Sequence, residues 1–270
     1  MGTTVELLED RSMDGFRSRR VVVIKFGGSV LENDSSYHRV AESLANRLHK
    51  CAEERLLVVV SAQNGLTDEL ENLAAAIIED PNPRTLDLLW STGEIRSVAL
   101  LALHLQKMGV AAAGLNVHEM GLRFGRSAQR QTRIEVFSAE VQRALEDHSV
   151  VIVPGFFATF PSGTVVSLGR GGSDLSAVLL ADEFDARQCE LVKDVPGYFT
   201  EDPHVSPHAE YLPWISYETA IEMAERGCEL VQPVALEAAR ERGVQLVVRT
   251  LDDAVPGTVV SAHTNQRGAK

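Results

Sequence analysis

The chain has 270 residues, 44% of them hydrophobic, and a formal net charge of −12. That size supports one large α/β core or two joined lobes, while an acidic balance with no basic run beyond Arg17-Ser18-Arg19-Arg20 excludes a nucleic-acid footprint. Three scattered cysteines without a CxxC pair argue against zinc and for a reducing, cytoplasmic setting, and no apolar stretch approaches the ~18–20 residues that a bilayer span needs.

In chain order, strand and helix signals alternate. Residues 1–19 mix acidic and basic groups, lack a signal-peptide core and read as a loosely ordered extension. Residues 21–24 read as a buried strand, with the glycine turn Lys25-Phe26-Gly27-Gly28-Ser29 directly behind it. Val40, Leu44 and Leu48 recur at helical spacing within 37–52. A β-rich run at 56–61 leads through Gln63-Asn64-Gly65 to a helix over 67–78, and Pro81 and Pro83 then break the chain. Residues 86–108 read as one or two helices around Ser91-Thr92-Gly93-Glu94, and 110–115 as a strand. The stretch 118–133 resists assignment; Arg123, Arg126, Arg130 and Arg133 read there as a solvated surface.

Further on, 150–154 reads as a strand, and 164–168 feeds a second glycine turn, Gly169-Arg170-Gly171-Gly172-Ser173-Asp174, before a helix over 175–184. Residues 191–192 lead into Asp194-Val195-Pro196-Gly197. Ser216 caps a helix that Gly227 ends, Pro233 and Gly243 bracket another, and 244–249 is the last strand before a polar tail at 261–270. This alternation predicts an α/β fold, a three-layer α/β/α sandwich around a largely parallel sheet, with a lobe boundary near residue 185.

Strand, glycine turn and helix start together form an anion cradle, because backbone N–H groups approach an oxyanion closely and the helix N-terminus adds positive partial charge. Lys25 in one turn and Arg170 in the other suggest a strongly anionic ligand set and phosphoryl transfer to a small acidic substrate. Neither turn has the GxGxxG spacing of a dinucleotide site. Ser91-x-x-Glu94 fits a capping box as well as a binding pair, and Ser173 and Asp174 fit helix caps.

Further segments stand in order between about residues 21 and 260: Ser61-Ala62 with Gly65-Leu66-Thr67, Val153-Pro154-Gly155-Phe156, and Thr200-Glu201-Asp202-Pro203. With the two glycine turns, Ser91–Glu94 and Asp194–Gly197, the set resembles the amino acid kinase family in its aspartate kinase pattern. The resemblance implies ATP-dependent phosphorylation of the side-chain carboxylate of L-aspartate to 4-phospho-L-aspartate, with Mg²⁺ arriving with ATP, in a homodimer that binds neither nucleic acid nor membrane. It implies Lys25 at the transferring phosphoryl group, Asp174 orienting Lys25, and Gly27, Gly28 and Ser29 as donors to the phosphates. Arg170 would clamp the substrate α-carboxylate, Glu94 would attract its ammonium, and Thr67, Phe156 and Ser173 would line the amino acid pocket. Asp194 and the turn through Phe199 would hold the nucleotide. The implied kinase domain covers 20–260, with an amino acid and phosphoryl lobe to about 185 and a nucleotide lobe from about 186.

The departures fall on the nucleotide side. Lys193 stands where the pattern has Thr or Ser, His204 where it has a basic residue, and Glu229 and Gln232 where it has Lys and His. Glu229 would repel phosphates, and Lys193 is expected to supply the missing charge. An ACT domain after residue 260 is not expected, nor is feedback by lysine or threonine through this chain. Two alternatives stay open: a kinase of another small acidic amino acid, and a degenerate homologue serving as a nucleotide- or amino acid-binding regulatory subunit.

Overall fold

The computed structural model describes residues 20–125, 133–186, 188–203, 205–252 and 256–262. The N-terminal extension, Arg126, Arg130, His204 and the tail from 263 lie outside the described residues.

The chain opens with β1 (Arg20–Phe26) and α1 (Asp34–Lys50), whose N-cap Asn33 accepts from the Ser35 amide and forms a capping box with Ser36. Next come β2 (Glu54–Val60), α2 (Leu66–Ile77) and α3 (Pro83–Lys107). α3 is one continuous helix that starts at Asn82-Pro83, where proline costs no hydrogen bond. Ser91 therefore sits in the helix interior, its Oγ donating back to the Leu88 carbonyl at 2.8 Å, and the capping-box reading of Ser91-x-x-Glu94 fails.

The middle of the chain holds β3 (Ala112–Gly114), α4 (Val117–Met120), β4 (Leu122–Phe124), β5 (Ile134–Val136) and α5 (Ala139–Asp147). β6 (Val150–Pro154), β7 (Phe157–Thr159), β8 (Val165–Ser167) and α6 (Gly172–Glu183) follow. The stretch that resisted assignment thus contains most of a one-turn helix, opened by an Asn116–Glu119 capping box, and a short strand. The last part runs β9 (Cys189–Val192), β10 (Tyr198–Phe199), β11 (Tyr211–Leu212), β12 (Trp214–Ile215), α7 (Tyr217–Glu225), α8 (Pro233–Arg242), β13 (Leu246–Arg249) and β14 (Thr258–Val260).

Eight strands form the central sheet in the order β12-β14-β13-β9-β1-β2-β6-β3. Its pairs are parallel except β13–β14 among the described residues. β1 lies inside the sheet and is apolar on both faces, as a doubly covered parallel strand must be. Val21 and Val23 point into a core with Leu57, Val59, Val178 of α6 and Leu236 of α8. Val22, Ile24 and Phe26 point into the opposite core with Tyr37 and Leu44 of α1 and Leu101 and Leu105 of α3. Each such fully buried Val or Leu contributes roughly 1.5–3 kcal/mol. This is the expected three-layer α/β/α sandwich. α6 is buried from Gly172 to Ala181, so it is apolar all round rather than amphipathic.

The topology also positions the glycine turns. Those after β1 and before α6, and the loops after β2, β6 and β9, gather at the carboxyl edge of four adjacent strands, where open parallel sheets hold ligands.

Candidate active site

Lys25 is buried near the end of β1, with its Nζ 2.7 Å from Asp174 Oδ1 in the first turn of α6. Lys193 reaches the same carboxylate from the end of β9, its Nζ 2.8 Å from Asp174 Oδ2. Burial pulls the Lys25 ammonium down to about 8; Asp174 opposes that fall and the nearby Lys193 adds to it. Burial alone would raise Asp174, but Lys25 and Lys193 outweigh it and hold the carboxyl at about 2. One carboxylate facing two ammonium groups leaves the cluster positively charged.

The first glycine turn passes close to the loop after β2. A Cβ on Gly28 would lie 3.2 Å from the Ala62 carbonyl oxygen. Ser29 Oγ donates to Asp194 Oδ1 at 3.1 Å, tying this turn to the loop after β9. The second turn ends at Gly171, the N-cap of α6, with φ +81°; a Cβ there would sit 2.5 Å from Gln232 Cβ.

A cavity of about 280 Å³ opens between these turns and α3, lined in part by Gly28, Ser61, Thr67, Glu94, Phe156 and Ser173. Four of the five residues expected at the amino acid pocket therefore meet here. Glu94 Oε1 accepts from the Ala62 amide at 3.3 Å, while Oε2 is buried with no protein partner among the described residues. Burial raises the Glu94 carboxyl to about 7. Ser61 Oγ donates to Ser173 Oγ at 3.1 Å. Phe156 has φ +71°, an uncommon conformation for a non-glycine residue that costs on the order of 1–3 kcal/mol. Its ring packs edge-on against Phe157 and tilts toward Trp90, with centroids 4.9 and 6.4 Å apart. The fifth residue, Arg170, stands apart: its exposed guanidinium lies 3.4 Å from Glu229 Oε1.

A second cavity of about 470 Å³ is lined by Val195, Phe199, Glu201, Asp202, Arg226 and Glu229, among others. Phe199 lines this second cavity, whereas Asp194 stands just before the lining and accepts from Ser29. Ser61, Trp90 and Arg226 carried no assigned role in the sequence. Ser61 was visible as part of Ser61-Ala62, but nothing in the spacing marked Trp90 or Arg226. Among the described residues no group of three or more His, Cys, Asp or Glu side chains could hold a metal ion. None of the described helices is long and apolar enough to cross a membrane.

Glycine turns and lysines at the carboxyl edge of a parallel sheet are the arrangement in which open α/β sheets commonly hold phosphoanions. The chain belongs to the amino acid kinase family, whose sequence profile matches residues 20–250. It is 40% identical over 240 residues to an aspartokinase of Thermus thermophilus, covering 89% of this chain and 59% of that protein. The chain thus spans somewhat under two thirds of such curated relatives. Among solved structures it resembles aspartate kinase from Synechocystis, with TM-score 0.76 and 34% identity over 90% of this chain and 40% of that one. It also resembles E. coli aspartokinase III in complex with aspartate and ADP, with TM-score 0.76 and 27% identity over 92% of this chain and 66% of that one.

Proposed function

We propose that this protein transfers the γ-phosphoryl group of ATP to the side-chain carboxylate of L-aspartate, giving 4-phospho-L-aspartate. The observation that carries this reading is the Lys25–Asp174–Lys193 cluster, next in sequence to Ser173 of a small cavity that Glu94 also lines, with the buried Glu94 Oε2 having no protein partner among the described residues. The aspartate named with ADP in the E. coli relative supports the choice of substrate.

The chemistry suits the residues. An aspartate side chain with a pKa near ~4 is ionised at neutral pH, so the acceptor needs no general base. One of its oxygens bonds to the γ-phosphorus as the bond to the bridging oxygen breaks, and the bonding pair leaves with ADP. What remains is to position two anions and offset their charge. Lys25 serves the phosphoryl group and Asp174 fixes Lys25. The close Gly28–Ala62 approach leaves a cradle that a Cβ would fill, which suits Gly27, Gly28 and Ser29 as phosphate donors. Mg²⁺ fits as a passenger of ATP, since it binds largely through phosphates and water.

Glu94 takes the substrate ammonium, and Thr67, Phe156 and Ser173 form the walls. Arg170 clamps the α-carboxylate after leaving Glu229; an exposed pair of this kind holds with only about 0–1 kcal/mol. Asp194 and Phe199 hold the nucleotide. One observation favours the regulatory-subunit reading: the larger cavity presents Glu201, Asp202 and Glu229 where a nucleotide would lie.

ADP release from Mg·ATP, followed with L-aspartate, L-glutamate and N-acetyl-L-aspartate, separates the readings. ADP release with L-aspartate and none with the N-acetyl compound is expected, because the latter lacks the ammonium that Glu94 takes. Release with another acid alone would move the substrate, and none with any acid would leave the regulatory reading.

A further inference from the structure

We propose that Lys193 is a second catalytic cation, its ammonium contacting the phosphoryl group in transit alongside Lys25 instead of anchoring the nucleotide. This rests on the kinase reading above and deepens it.

The backbone puts Lys193 at the right edge. β9 lies beside β1 in parallel register, with Lys25 opposite Leu191 and Phe26 opposite Val192. Lys193 follows immediately, its amide donating to the Arg249 carbonyl at 2.8 Å, and its side chain is only 13% exposed. Both lysines therefore converge on one carboxylate from neighbouring strands. Lys25 Nζ lies 3.3 Å from where a Gly27 Cβ would stand, so the shared charge faces the glycine turn.

A purely structural Lys193 would be redundant as a counter-ion. Asp174 already has Lys25 at 2.7 Å, and a second buried ammonium adds repulsion unless another anion arrives to relieve it. The larger cavity points the same way. Among its described lining residues Arg226 is the one cation against Glu201, Asp202 and Glu229, so the phosphates find no lysine there. Positive charge for the phosphoryl end is concentrated instead at Lys25 and Lys193.

In the transfer step a carboxylate oxygen bonds to phosphorus as the phosphorus–bridging oxygen bond breaks, and ADP leaves with that pair. No proton moves, and both lysines stay protonated, offsetting charge on the equatorial and leaving oxygens.

The test compares Lys193→Met and Lys193→Arg with the wild type in kcat, KM for ATP and KM for aspartate. It is joined by ADP binding alone and with fluoroaluminate plus aspartate, a mimic of the phosphoryl group in transit. Thermal melts check folding, and Lys193→Gln, which keeps a donor for Asp174, replaces the Met variant if that one melts early. Lys193→Met is expected to lose about 100-fold or more in kcat, as when one transition-state donor is removed. Its KM for ATP and its ADP affinity should hold, its tightening by fluoroaluminate should vanish, and the Arg variant should recover much of kcat. A raised KM for ATP with unchanged kcat would overturn the proposal in favour of a nucleotide anchor. Unchanged values throughout would leave Lys193 as a structural partner of Asp174 and equally overturn it. A wild type that binds no ADP would overturn the kinase reading itself; wild-type binding with an unaffected Lys193→Met would overturn only the role of Lys193.

Discussion

On the proposed kinase reading, Glu94 and Lys25 set the pH window in which the free protein is ready for its reactants. In that reading Glu94 has to be ionised to take an ammonium, and burial raises it to about 7; Lys25 has to be protonated, and burial lowers it to about 8. With ATP kept well below its KM, so that the free enzyme governs the rate, kcat/KM for aspartate should trace a narrow bell, rising through about 7 and falling through about 8. Glu94→Gln should abolish the acid limb and lower kcat/KM by roughly 10–100-fold, the size of one hydrogen bond to a charged group. A profile with its acid limb unmoved in that variant would remove Glu94 from the substrate site.

Stability should follow with a definite sign. The folded-state value of Glu94 lies above its ordinary 4.5, so between 4.5 and about 7 the folded protein binds more protons than the unfolded chain. Stability from this group is then full below 4.5 and lost as pH rises through about 7. Glu94→Gln should therefore melt higher than the wild type at pH 8 and gain nothing near pH 4; the check is a pair of melting curves. Lys25 and Glu94 were legible as motif members. The Asp174–Lys193 contact was not, because only the sheet brings the ends of β9 and α6 together.

α6 and α3 show what each element adds to its residues. α6 begins on a left-handed glycine pressed against Gln232, joining the turn that holds Arg170 to the loop that holds Glu229. Gly65 begins α2 with a similar φ of +76° and has open space where a Cβ would point. Gly65→Ala should cost only the left-handed penalty of about 1–2 kcal/mol. Gly171→Ala must add a clash at 2.5 Å to the same penalty, so its urea midpoint should fall distinctly further. Equal losses would mean that the Gly171–Gln232 contact is slack. The helix periods and proline and glycine stops of α1, α7 and α8 could be read from the chain. α3 was ambiguous because Ser91-x-x-Glu94 imitates a start, while Asn82-Pro83 supplies the real one. The one-turn α4 is too short to carry a period at all.

Across the molecule, an ion network on the α1 side of the sheet holds distant segments together. Arg47 of α1 donates to Glu54 at 2.7 Å and to Glu190 of β9 at 2.8 Å, while Arg249 of β13 reaches Glu190 at 2.8 Å. Burial would raise the Glu190 carboxyl, but Arg249 and Arg47 hold it below its ordinary range. Arg47→Met leaves a buried carboxylate with fewer partners and should destabilise by roughly 3 kcal/mol. Since the depressed group stabilises above its unfolded value and loses that support in acid, the deficit should shrink as pH falls through the carboxylate range. A deficit independent of pH would show that lost packing dominates. Arg47 and Glu190 are separated by 143 positions, so no local spacing announced the pair. The alternation of strands and helices did announce the parallel sandwich, because covering both faces of a sheet imposes long apolar runs such as Val21–Ile24.

In the proposed reaction a carboxylate accepts the phosphoryl group at the Lys25 end of the sheet. Hydroxylamine trapping with Mg·ATP and L-aspartate, in the wild type and Lys25→Met, tests it most directly, since an acyl phosphate reacts to a hydroxamate and other phosphate esters do not. Hydroxamate formation is expected from the wild type, with a loss of about 100-fold or more in the variant. ADP release without hydroxamate, or full hydroxamate formation by a folded Lys25→Met protein, would contradict it.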